Sequence, residues 1–175
     1  SKGDLLRAEQ AYLRALAIQE RTVGPEHRNV GVLANNLAVL YVSKGEYTRS
    51  ATMAARALTV FEKASGPDHP SLRDPLMNLA NAYCSYRRYA DAEAAYERAL
   101  RITENGLGPT NPATALVLND FAGCLRARGD YARSHALFER ALQIRQTAMG
   151  LAHPAVGRVL TQLAMTMEAE GLSTE

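Results

Sequence analysis

The sequence predicts an all-α chain, a solenoid of antiparallel helix pairs with about eight helices. A loop motif returns every 42 residues, as GPEHR at 24–28, GPDHP at 66–70, GPTNP at 108–112 and GLAHP at 150–154. Self-similarity at a fixed period of this size marks a repeat architecture. The stretches between the loops align in the same frame, with LANNLAVLY at 33–41 over PLMNLANAY at 75–83, VLNDFAGCL at 117–125 and VLTQLAMTM at 159–167. Each period also shows helical spacing of its apolar and small residues twice, first in Leu76, Leu79, Ala80 and Tyr83, then in Tyr89, Ala92, Tyr96, Ala99 and Leu100.

The elements follow in order. Residues 1–25 read as a second helix alone, complete pairs occupy 26–67, 68–109 and 110–151, and 152–175 read as a first helix alone. A tight turn near Gly45, Arg87 or Gly129 joins the two helices of each pair. In the second helices the small residues Ala8, Ser50, Ala92 and Ser134 admit close approach, and Tyr12, Tyr96 and Phe138 fill the space four residues later. Ala54 breaks that aromatic column and leaves room for Met53 or a cavity.

The loops combine a stop with a start. Their glycine suits the left-handed residue past a helix end, and His69, Asn111 and His153 stand before a proline set for a first helical turn. Because His27, His69 and His153 recur with the period, they read as structural rather than catalytic. Pro75 falls where an interior proline would cost about 3 kcal/mol, which predicts a late helix start near Asp74 or a kink. The unpaired end helices, with Leu5, Tyr12 and Leu16 partly exposed, predict a fragment of a longer array that ends at GLSTE, where another second helix should begin.

Composition narrows the function classes. Hydrophobic residues make up 47% and charged residues 22%, with a net charge of +2 and both signs dispersed. That balance suits a water-soluble fold and offers no counterion-releasing surface for nucleic acid. No apolar run of transmembrane length and no signal-peptide pattern occurs, so no membrane partner is expected and a cytoplasmic location is the default. Cys84 and Cys124 lack a CxxC spacing and read as reduced, semi-buried thiols.

The spacing of Leu76, Leu79, Ala80 and Tyr83, with Ala92 and Tyr96 downstream, resembles the tetratricopeptide repeat, and the resemblance covers nearly the whole chain. The familiar unit is about 34 residues, so this one of 42 has longer helices. With its GPxHP-type loops and NNLAxLY-type first helices it is similar to the kinesin light chain subgroup. The resemblance implies a right-handed superhelix whose first helices line a concave groove and bind a protein or peptide partner.

On that implied groove fall Val32, Asn35, Asn36 and Val39; then Asp74, Met77, Asn78 and Asn81; then Leu116, Asn119, Asp120 and Gly123; and Arg158, Thr161, Gln162 and Met165. Their amide density suggests a ladder for a partner's main chain, since each amide carries donors and an acceptor. The competing reading is that these amides bond across to neighbouring helices. Arg158 and Arg126 are the only cations expected near the groove, opposed by Asp74 and Asp120, which favours a neutral or mixed peptide. The arginine column Arg14, Arg56, Arg98 and Arg140 reads as an outer face or as pairing with Glu97, Glu139 and similar residues.

No metal-ligand spacing, glycine-rich phosphate loop or nucleophile with a matching base occurs, so neither an enzyme nor a cofactor is expected. The alternative to a peptide-binding module is a structural or regulatory arm of a larger protein. Such an arm would act by contacting another region of its own polypeptide or by self-association.

Overall fold

The computed structural model describes the backbone of residues 2–174 and the side chains of residues 3–171. Among these are eight α-helices, one 3-10 turn and no strand. The helices are α1 Lys2–Val23, α2 Arg28–Ser43, α3 Tyr47–Ser65, α4 Arg73–Ser85, α5 Tyr89–Leu107, α6 Pro112–Arg128, α7 Tyr131–Met149 and α8 Pro154–Thr174. The chain divides into two compact units, residues 1–88 and 89–175.

The four loop positions do what their chemistry predicts. Nδ1 of His27, His69 and His153 accepts from the backbone N–H of Asn29, Ser71 and Ala155 at 3.2, 3.2 and 3.1 Å. Asn111 Oδ1 does the same for Ala113 at 2.9 Å. Each satisfies a backbone donor that the first turn of a helix leaves without an internal partner. Gly24, Gly66, Gly108 and Gly150 all have φ between 83° and 94°. Pro75 has the predicted effect: Pro70–Leu72 form a 3-10 turn, and the α-helix starts only at Arg73, which puts Pro75 in its first turn.

In the first unit α2 and α3 form an antiparallel hairpin. At its far end a Cβ added to Gly31 would stand 3.0 Å from Val60 and 3.1 Å from Phe61. At its near end the Arg49 guanidinium lies 4.0 Å over the Tyr41 ring. Leu16 from α1 joins Val30, Leu37, Leu40 and Tyr41 in the core, with Leu5 and Tyr12 half-buried against them. The missing aromatic at Ala54 is made good by Met53, Leu58 and Tyr83, which pack around Ala38, Ala54 and Leu79.

In the second unit Ala115, Leu118 and Ala122 of α6, Phe138, Ala141 and Ile144 of α7, and Val159 and Leu163 of α8 form one core. Tyr96 of α5 stacks on Phe121 of α6 with centroids 5.2 Å apart, and burial pushes its hydroxyl well above the usual tyrosine range. The small residue expected at Ser134 is fully buried, and its hydroxyl donates to the Ala122 carbonyl at 2.8 Å. α8 continues through Gly171; of the GLSTE stretch, the side chains beyond that glycine lie outside the described residues.

Two expectations need correction. Both cysteines are disulfide-bonded and neither is a free thiol; the missing CxxC spacing misled, because pairing across a fold needs no short spacing. The arginine column does pair between repeats, but Arg56 bonds Glu20 and Arg140 bonds Glu104. The carboxylate comes from the preceding second helix, α1 or α5, while Glu139 faces His135 of its own helix at 3.8 Å.

Candidate functional site

Each unit presents a stripe on its first helices. On α2, Val32, Asn35, Asn36 and Val39 stand at i, i+3, i+4 and i+7, with the valines exposed and the asparagines half-buried. That spacing holds four side chains on one helix face, away from the buried Val30, Leu37 and Tyr41. Beside it on α4, Asn78 and Asn81 are half-buried and Asp74 is exposed.

The two helices are tied by one amide bond: Asn78 Nδ2 donates to Asn35 Oδ1 at 2.9 Å. An asparagine has two donors and an acceptor with two lone pairs, so this bond leaves the Asn35 amino group and the Asn78 oxygen able to do more. Asn36 makes no hydrogen bond to another described residue. At the N-terminal end of the stripe, Arg28, Val32, Asn35, Arg73 and Asp74 surround a cleft of about 480 Å3.

Met77 departs from expectation. It occupies the column of Asn35 and Asn119 but is only 7% exposed, so it adds to the core rather than to the open stripe. In a column already half-buried, a long flexible apolar side chain gains by folding inward.

In the second unit, α6 carries Leu116, Asn119, Asp120 and Gly123, and α8 carries Arg158, Thr161, Gln162 and Met165. Leu116, Arg158 and Met165 are exposed, while Asn119, Asp120 and Gln162 are half-buried. Asn119 Nδ2 donates to Asp120 Oδ1 at 3.3 Å. Arg126 crosses from α6 and donates to the Gln162 side-chain oxygen at 2.7 Å and to its carbonyl at 3.2 Å.

Sequence reading missed Arg145. It lies on a second helix, in the column of Phe61 and Thr103, yet its guanidinium donates to the Ala155 carbonyl at the start of α8, 3.1 Å away. It is 8% exposed. Burial foremost, then the nearby Arg158, holds it below the usual arginine range, while Asp120 acts in the opposite sense. Arg145, Arg158 and Asp120 therefore lie close together at this end of the second unit. The one available signal was a charged residue in a column that is otherwise buried.

Among the described residues, no group of three or more His, Cys, Asp and Glu could hold a metal ion, and no helix is long and apolar enough to cross a membrane.

The sequence profile of the tetratricopeptide repeat family matches the chain four times, at residues 1–63, 32–105, 75–147 and 113–174. Among solved structures, the crystal structure of BtubC (BKLC) from P. vanneervenii is 24% identical over 97% of this chain and 68% of that one, with a TM-score of 0.84. Two crystal structures of a Podosopora anserina putative kinesin light chain with nearly identical TPR-like repeats are each 22% identical, over 98% of this chain and 81% of theirs. Their TM-scores are 0.83 and 0.81. At these identities the likeness establishes a shared fold. No curated protein matches the chain.

Proposed function

Because the chain belongs to the tetratricopeptide repeat family, whose members are generally non-enzymatic scaffolds and protein–protein interaction modules, we propose that its first-helix stripes hold an extended peptide or a helix of a partner protein. The observation that carries the reading is the α2 stripe: exposed Val32 and Val39 flank Asn35 and Asn36, and the Asn36 amide is unengaged by any described residue. An extended main chain offers one donor and one acceptor per residue, and a single amide can meet both. The valines, Leu116 and Met165 supply apolar contacts for alternate side chains.

The charges refine the partner's chemistry. In the first unit Asp74 is paired with Arg73 beside Arg28, and in the second Asp120 and Arg158 lie close enough for both to act on Arg145, so a peptide of mixed charge suits the stripes better than a wholly acidic or wholly basic one. The Asn35–Asn78 bond means that the amides also serve packing. Asn119 and Gln162 likewise bond internally, to Asp120 and Arg126, while Asn36 is left to a ligand.

The test selects a binding peptide from a displayed random library and titrates it against Asn36→Ala combined with Asn78→Ala. Loss of two hydrogen bonds should weaken binding about 5- to 150-fold, roughly 1 to 3 kcal/mol, with helicity unchanged. Unchanged affinity together with a lowered melting temperature would assign the amides to packing alone.

A further inference from the structure

On the premise that the stripes hold a peptide, we propose that the second unit carries a carboxylate subsite beneath its stripe, with Arg145 of α7 at the floor and Arg158 of α8 at the rim. The two units differ at this place. In the first, Val32 and Asn35 of α2, Phe61 of α3, and Arg73 and Asp74 of α4 line the cleft of about 480 Å3. Two periods later the same columns hold Leu116, Asn119, Arg145, Gly157 and Arg158. The apolar floor becomes a guanidinium, and the acidic rim becomes a second one. Arg73 gives way to a glycine at which an added Cβ would meet nothing within 4 Å, so no side chain closes over that place.

Arg145 is the residue that calls for an anion. It is buried, and a charged side chain leaves water at a high cost unless it is paired. The Ala155 carbonyl, 3.1 Å away, is its one hydrogen-bond partner among the described residues, and no described carboxylate pairs with it. Four of the five N–H donors of a guanidinium are therefore unmatched. Burial and the nearby Arg158 both act against its charge, and together they outweigh Asp120.

The charges also decide which anion fits. Arg145 and Arg158 against Asp120 leave one net positive charge, which a single carboxylate cancels and a phosphate group, at nearly two negative charges, would exceed. A guanidinium presents its donors as a planar fork that matches the two oxygens of a carboxylate. The group can come from an Asp or Glu side chain of the peptide or from its final residue. Because Arg145 stands on a second helix, the subsite lies below the amides of the stripe and selects one residue rather than holding the main chain.

Peptides selected from a displayed random library on the unaltered chain test the subsite. Each is titrated as selected, with every Asp and Glu replaced in turn by Asn or Gln, and with an amidated end. The titrations use the unaltered chain, Arg145→Met and Arg158→Glu. An apolar residue suits a buried column that holds Phe61 in the first unit, Arg158 is exposed, and circular dichroism checks that each variant is folded. The expected result is one carboxylate per peptide whose removal weakens binding to the unaltered chain about 10- to 150-fold and leaves binding to either variant nearly unchanged, as a direct pair requires. Loss on an Asn or Gln replacement assigns a side chain, and loss on amidation assigns the peptide's end. Peptides that need no carboxylate, or that lose as much affinity for a folded variant as for the unaltered chain, would overturn the subsite and leave the stripe reading standing. A library that yields no peptide at all would overturn both.

Discussion

Arg87 holds its backbone at φ 62°, the one non-glycine among the described residues in the left-handed region, at the turn where Gly45 and Gly129 sit at 72° and 91°. A side chain in that conformation costs roughly 1–2 kcal/mol. Arg87→Gly should therefore stabilise the protein by about 1 kcal/mol in thermal unfolding, the added backbone entropy of glycine offsetting part of the relief. An unchanged or lowered melting temperature would mean that the turn carries no strain. The glycines and caps were legible in the sequence because each answers a local backbone need. A neutral imidazole offers one ring nitrogen as an acceptor, and that is enough for His27, His69 and His153 to serve where Asn111 serves in the third loop. Arg145 was not legible. Its reach across to the Ala155 carbonyl depends on the distance between two helices, and a column alignment carries no distances.

At the scale of the helix, the 3.6-residue pattern named the buried faces, including those of α2, α4 and α6, and Pro75 placed the late start of α4. It did not name what joins one second helix to the next. Glu9 of α1 is buried, accepts from the Tyr41 hydroxyl at 3.2 Å, and pairs with Lys44 at the end of α2 and with Arg49 of α3. The hydrogen bond from Lys44 is the largest influence, and with Arg49 it holds the Glu9 carboxyl below the usual glutamate range despite burial. The same Lys44 and Arg49 lower Glu46. A folded-state carboxylate lowered in this way adds stability that is present above the unfolded pKa, about 4.3, and is lost as pH falls from there through the folded value. Glu9→Gln should accordingly flatten the loss of stability between about pH 5 and pH 3 in urea titrations. A variant whose acid profile matched the unaltered chain would show that the cluster contributes nothing to pH dependence. The cluster escaped sequence reading because its members are 32 to 40 residues apart and come together only when the helices lie side by side.

At the scale of the molecule, a period of 42 residues was enough to mark a helical repeat array, because each unit buries its apolar face only against its neighbours, and the spacing of Leu76, Leu79, Ala80 and Tyr83 carried its resemblance to the tetratricopeptide family. The candidate site was less legible. The pattern put the asparagines on first helices, but it could not divide their hydrogen bonds between the Asn35–Asn78 pair and a ligand, nor anticipate that Met77 turns inward. The most direct test of the stripes as a binding surface is oxidative footprinting of exposed side chains, with and without the selected peptide. Val32, Val39, Leu116 and Met165 should be protected by the peptide, while Met149 and Leu151, 40% and 77% exposed but outside the stripes, should oxidise as before. Protection of Met149 and Leu151 with the stripe residues unchanged would contradict the account.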